Sequence, residues 1–110
     1  MMKDEQLFQK SADDALTSLC RLLVAASDDY GFDVDLGDGA LTVEFDHPPG
    51  KFVISANSAT QQIWVSAHSK SYKLDFDLVE STFVLASTDQ TLQSLVEELL
   101  SRQMGEDVAL

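Results

Sequence analysis

Between Phe32 and Asp46 the chain alternates apolar and polar residues on both sides of an Asp38-Gly39 dipeptide. Phe32, Val34 and Leu36 alternate with Asp33, Asp35 and Gly37, and then Leu41, Val43 and Phe45 alternate with Thr42, Glu44 and Asp46. A period of two sends one set to a buried face of a sheet and the other to water, while Asp-Gly suits the positive φ angles of a tight turn. The segment therefore reads as a β-hairpin with one wet face.

The flanking residues follow a different period. From Gln6 to Ala26, apolar residues recur at Phe8, Ala12, Ala15/Leu16, Leu19, Leu22/Leu23 and Ala26, the three-to-four spacing of a helix with one buried stripe. This predicts a first helix over 6–26, ended by the turn formers Ser27-Asp28-Asp29-Tyr30-Gly31. After the hairpin, His47-Pro48-Pro49-Gly50 reads as a turn, and Lys51–Ala56, Gln62–Ser66, Ser71–Phe76 and Thr82–Ala86 read as further strands at hairpin spacing. Leu92, Leu95/Val96, Leu99/Leu100 and Met104 mark a second helix over 90–104, with an N-cap within Ser87–Asp89 and a stop at Gly105. Residues 105–110 are expected as a tail, frayed from Glu106 onward. The expected architecture is one α+β domain over 1–110: a two-layer α-β sandwich whose N- and C-terminal helices pack on one face of a mostly antiparallel five- to six-stranded sheet over 32–86.

Charge narrows the function classes. Among 110 residues, 19 acidic against 7 basic side chains give a net charge of −12, which makes nucleic acid and anionic membranes poor partners. The distribution is uneven: residues 1–46 hold 11 carboxylates and 3 basic side chains, whereas 47–74 hold no carboxylate and 3 lysines. No apolar run approaches a membrane span, and the first ten residues lack the pattern of a secretory or transit segment, so a cytoplasmic protein is expected. The lone Cys20 allows no internal disulfide.

Chemistry for covalent catalysis is not legible. His47 and His68 have no cysteine or second histidine at zinc-ligand spacing, Gly37-Asp38-Gly39 lies in a hairpin and not between a strand and a helix, and Cys20 sits beside an apolar stripe. No nucleophile, base and oxyanion hole can be assembled, so no catalytic residue is named.

Two features rise above solvated surface. Asp33 and Asp35 point to one side of their strand, about 7 Å apart; Asp13 and Asp14 lie off the apolar stripe of the first helix, and Asp28 and Asp29 link the two regions. Clustered carboxylates repel one another unless a cation relieves them, and oxygen ligands favour hard ions such as Mg²⁺, Ca²⁺, Mn²⁺ or ferric iron, with ferrous iron tolerated. The second feature is Gln61-Gln62-Ile63-Trp64-Val65-Ser66: burying Ile63 and Val65 forces Trp64 to the opposite face, where it either anchors a partner or is half-covered by Gln62 or Lys73.

The order helix, acidic turn, Asp-Gly hairpin, Gln-Ile-Trp strand and closing helix resembles the frataxin family, in particular its bacterial CyaY branch, over about Leu7 to Gln103. The segments that carry the resemblance are Ser11-Ala12-Asp13-Asp14, Asp33-Val34-Asp35-Leu36 through Ala40-Leu41-Thr42-Val43, Gln62-Ile63-Trp64-Val65-Ser66 and, more loosely, Lys73-Leu74-Asp75. The resemblance implies a protein that binds iron, Fe²⁺ or Fe³⁺, weakly through Asp13, Asp14, Asp28, Asp29, Asp33 and Asp35. It also implies docking on the cysteine desulfurase and the scaffold of iron-sulfur cluster assembly, with Gln62, Trp64, Lys73 and Asp75 on the partner-facing side. Arg21-Leu22-Leu23-Val24-Ala25 stands where family members usually extend the acidic ridge, Thr60 replaces an asparagine, and Phe83 stands where a second tryptophan is common.

The leading expectation is a non-enzymatic iron-binding regulator or iron donor, cytoplasmic in a bacterium or in the mitochondrial matrix if the chain is a trimmed eukaryotic one. It is expected as a monomer, with iron-dependent oligomers left open. The alternatives are ferroxidase or iron-storage activity, and an acidic interaction module without a metal role. Against a di-iron oxidase, neither helix carries the histidine of a Glu-x-x-His pair.

Overall fold

The computed structural model describes residues 5–37, 39–46, 49–77, 79 and 82–110. Helix α1 (Glu5–Tyr30) is followed by strands β1 (Asp33–Gly37), β2 (Ala40–Asp46), β3 (Pro49–Asn57), β4 (Gln62–Ala67), β5 (Lys70–Asp77), β6 (Thr82–Leu85) and β7 (Gln90–Thr91), and the chain closes with helix α2 (Leu92–Met104). The strands form one seven-stranded sheet in sequential order, every neighbouring pair antiparallel. Consecutive hairpins need no crossover, so both helices are free to cover the same face. The sheet exceeds the expected five to six strands because Gln90 and Thr91 pair with Leu85 and Val84 as a short β7.

Both apolar stripes reach the core as the periodicity requires. Phe8, Ala12, Leu16, Leu19, Leu23 and Ala26 of α1 are buried, as are Leu92, Leu95, Val96, Leu99 and Leu100 of α2. They meet an inner sheet face built from Leu41, Val43, Phe52, Ile54, Ile63, Val65 and Leu74. α1 lies over β1, β2 and β3, while α2 lies over β6 and β7. On the same face, the N-terminal end of α1 reaches across to β6, where the rings of Phe8 and Phe83 meet edge to face at 6.0 Å.

The helix limits differ from expectation for physical reasons. α1 does not stop at Ala26; it continues to Tyr30, and Gly31 (φ 76°) closes it by donating its N–H to the Ser27 carbonyl at 2.9 Å. Glycine supplies the left-handed conformation at little cost, so the aspartates at 28 and 29 form the last helical turn, not a loop. α2 starts two residues later than predicted because Thr91, not a residue of Ser87–Asp89, is its N-cap: the Thr91 hydroxyl accepts the Ser94 N–H at 3.2 Å. Gly105 ends α2 as expected, donating to the Ser101 carbonyl at 3.0 Å. The expected 47–50 turn also changes, since β3 already begins at Pro49, where a missing N–H is tolerated at a strand start; His47, Pro48 and Asp38 lie outside the described residues.

The predicted frayed tail is a structured return strap. Val108 is 4% exposed and belongs to the core. Its N–H donates to Ser101 Oγ at 2.9 Å, the Leu110 N–H donates to Glu97 Oε2 at 2.7 Å, and Gln93 Nε2 donates to the Leu110 carbonyl at 3.2 Å. Ser101, Glu97 and Gln93 are four residues apart and form one polar line along α2, so the tail runs back along the helix, and Tyr30 Oη of α1 reaches the Asp107 carbonyl at 3.5 Å.

At the other end of α2, Gln103 is a buried polar residue, 8% exposed. Its Oε1 accepts a hydrogen bond from His68 Nε2 at 3.0 Å, and the His68 ring stands edge-on to Phe52 at 5.3 Å. A Cβ on Gly50 would come within 3.1 Å of the Gln103 amide, so the lack of a side chain at 50 is what lets the glutamine lie against β3.

Substituting Val108→Ala should lower unfolding free energy by about 1–2 kcal/mol in urea titration, the size expected for losing most of a buried valine side chain. A loose tail would leave the midpoint unchanged.

Candidate functional site

Two side-chain groups remain outside the core, on separate parts of the surface. The first is acidic. α1 and β1 are joined by Gly31 and Phe32 alone, which holds Asp28 and Asp29 at the same end of the molecule as Asp33. Phe32 is buried and Val34 half-buried, so Asp33 and Asp35 project from the opposite face of β1. β2 lies alongside, and its register places Glu44 opposite Asp33 and Thr42 opposite Asp35. Glu44 is thus a member of this edge that the sequence reading did not single out. The signal was present: a two-residue Asp-Gly connection pairs Gly37 with Ala40, and counting back from that pair brings 33 to 44.

The six aspartates do not converge on one point. Asp14 and Asp28 are separated by fourteen residues of α1, about 21 Å along the axis. Near the start of the helix, Asp13 accepts a hydrogen bond from Gln9 Nε2 at 3.0 Å and Asp14 forms an ion pair with Lys10 at 2.9 Å. By contrast, Asp28, Asp29, Asp33, Asp35 and Glu44 have no side-chain partner among the described residues. The sequence ridge therefore divides into a locally compensated pair and an uncompensated end. Among the described residues no three His, Cys, Asp or Glu side chains come together as a metal cage.

Electrostatic repulsion is concentrated at that end. The C-terminus of a helix carries a partial negative charge, and α1 places two aspartates in its last turn with no basic residue there. Asp33 and Glu44 are like charges directly opposite on paired strands, a further unfavourable arrangement that Lys51, across from Glu44 on β3, offsets in part without closing an ion pair. α2 shows the usual solution, with Arg102 in its final turn.

The second group is the Trp64 cluster on the sheet face away from the helices. Ile63 and Val65 are fully buried and Trp64 is half-buried on the other side, as alternation requires. Register pairs Gln62 with Asp75 and Trp64 with Lys73. The indole Nε1–H donates to Gln62 Oε1 at 3.0 Å, Gln62 Nε2 donates to Asp75 Oδ1 at 3.0 Å, and Lys73 Nζ lies 5.0 Å from the indole centroid. All four sequence candidates therefore form one connected set. On its other flank Trp64 faces Ser55, followed across the sheet by Ala40 and Gly37. These small residues leave that side of the indole without a long neighbour to cover it. Lys73 and Gln62 hold the ring in place from the β5 side and from its own strand.

Comparison with known proteins agrees with this architecture. A family model described as a frataxin-like domain matches residues 1–106. The chain belongs to the frataxin-like family. An iron-sulfur cluster assembly protein CyaY from Ectopseudomonas mendocina is 32% identical over 74% of each chain. Among solved structures, a frataxin from Psychromonas ingrahamii superposes with a TM-score of 0.75 at 18% identity over 96% of both chains. Yeast frataxin superposes with a TM-score of 0.71 at 25% identity over 91% of this chain and 82% of that one. Two helices on one face of an antiparallel sheet are thus the frataxin-like fold.

If repulsion is stored at the acidic end, Asp29→Asn and Asp33→Asn should each stabilise the fold by about 0.5 kcal/mol at low ionic strength. The gain should shrink as salt is raised in parallel thermal melts, since screening relieves the same repulsion.

Proposed function

We propose that the chain serves iron-sulfur cluster assembly as a non-enzymatic iron-binding regulator and iron donor, meeting a cysteine desulfurase with its acidic end and a cluster scaffold with the Trp64 face. Support for the process comes from family membership and from relatives named as iron-sulfur cluster assembly proteins. The observation that carries the division of labour is the uncompensated set Asp28, Asp29, Asp33, Asp35 and Glu44, set apart from the connected Trp64, Gln62, Lys73 and Asp75.

Iron is cargo in this reading. Carboxylates that are close but do not form a cage attract a hard cation by charge and let it keep most of its water, which gives weak and easily released binding. The same field steers a basic protein patch toward that end and fixes its orientation. Half-buried Trp64 offers a large ring already held in place, so little side-chain freedom is lost when a partner covers it. Asp13 and Asp14, engaged with Gln9 and Lys10, contribute general field more than direct contact.

Anaerobic Fe²⁺ titration followed by amide resonances tests the assignment. Perturbation should concentrate on residues 28–35 and Glu44 and be weaker at Asp13 and Asp14. The triple change Asp33→Asn, Asp35→Asn and Glu44→Gln should weaken both iron and desulfurase binding, whereas Trp64→Ala should weaken scaffold binding by about tenfold or more and leave iron binding intact. Iron and desulfurase affinities unchanged in the triple variant would show that the acidity serves solubility alone.

A further inference from the structure

On a protein this acidic, one concavity is basic. It occupies about 410 Å³ where the β4–β5 turn meets β3, and Lys51, Ser66, His68, Ser69, Lys70 and Ser71 line it. It has no carboxylate in its wall, in keeping with the acid-free stretch from 47 to 74. Lys51 and Lys70 have no ion-pair partner among the described residues. The nearest carboxylate by register is Glu44, which lies across from Lys51 on β2, on the side of β3 away from the concavity. Lys73, by contrast, is occupied over Trp64.

The imidazole in this wall is held in place. Oε1 of Gln103 can only accept, so the hydrogen lies on His68 Nε2, and the ring is further fixed against Phe52. The serine hydroxyls at 66, 69 and 71 are exposed donors. Two ammonium groups and three hydroxyls around a volume of small-ligand size make a donor-rich surface, and His68, whose Nε2–H is already given to Gln103, shapes the wall without donating to a ligand.

We propose that this concavity binds a phosphoryl group, with Lys51 and Lys70 neutralising its charge and the serine hydroxyls completing its hydrogen bonds. Lysine acts on phosphate as a mobile point charge, which suits an open site without a fixed fork of donors. A small dianion also suits the place better than an acidic polypeptide does, because a polypeptide would extend beyond the concavity into the field of Glu44 and the rest of a surface with net charge −12. The assignment does not depend on the role in cluster assembly.

The test is an amide-resonance titration of the whole chain with inorganic phosphate, ionic strength held constant with sodium chloride. Saturable shifts are expected at Lys51, Ser66 and residues 68–71. The pair Lys51→Gln and Lys70→Gln should weaken binding by at least about tenfold, whereas Lys10→Gln with Arg102→Gln, which removes the same charge elsewhere, should leave it within about twofold. Unchanged resonances outside the concavity report that each variant keeps its fold. Ribose 5-phosphate and a phosphoserine peptide then distinguish a small metabolite from a modified protein by which binds more tightly. Linear shifts without saturation, equal weakening in the two double variants, or tighter saturation of the same amides by an aspartate-rich peptide would each overturn the proposal.

Discussion

Burial of one face of an antiparallel meander beneath two helices is the constraint on which the rest of the molecule depends. The apolar stripe from Phe8 to Ala26 and the inner residues Val43, Ile54, Ile63, Val65 and Leu74 must exclude water together, and only a continuous sheet gives α1 enough surface to cover. Because both helices take the same side, the other side of the sheet stays open. The strand-borne parts of both surface groups follow from that asymmetry: residues alternating with the core residues are delivered to an exposed face in fixed register, and the end of α1 adds Asp28 and Asp29 beside them.

The edges of the sheet show how charge and fold are reconciled. β1 is an edge strand of five residues and β7 one of two, so neither presents a long free ladder. Asp33 and Asp35 add charge to the β1 edge, which discourages unwanted strand pairing. The same aspartates, with the helix terminus bearing Asp28 and Asp29 and no basic residue in its last turn, concentrate negative charge that only Lys51, opposite Glu44, borders by register among the described residues. A feature that protects the edge can therefore also attract cations and basic surfaces, and its cost in repulsion is carried by the core and by the well-capped α2.

Much of this was legible because it rests on periodicity. The hairpin around Asp38-Gly39, the outward direction of Trp64 and the stripe of each helix depend on local pattern, and the resemblance of the whole order to the frataxin family followed from the same segments. The boundaries were less legible. Ser27-Asp28-Asp29-Tyr30 reads as a turn by composition, yet it is helical because Gly31 provides the cap one turn later. Thr91 replaced the more obvious Ser87–Asp89 as N-cap because pairing of Gln90 and Thr91 with β6 delays the helix. The tail looked frayed because its partners, Ser101, Glu97 and Gln93, lie on a helix that precedes it and become one line only when that helix is wound.

By itself the sequence determined the two-layer plan, the side of the sheet on which each residue of a strand lies, the excess of negative charge and its absence from 47–74, since all of these depend on residue order and period. Only the tertiary structure decided which charges meet. It divided six aspartates into a compensated pair on α1 and an uncompensated end, added Glu44 to that end through strand register, linked Trp64, Gln62, Lys73 and Asp75 into one set, and brought Lys51 to Lys70 and His68. The reason is that charge interactions fall off over distances of a few ångströms to a Debye length, and distances between residues far apart in the chain are set by packing, not by sequence separation.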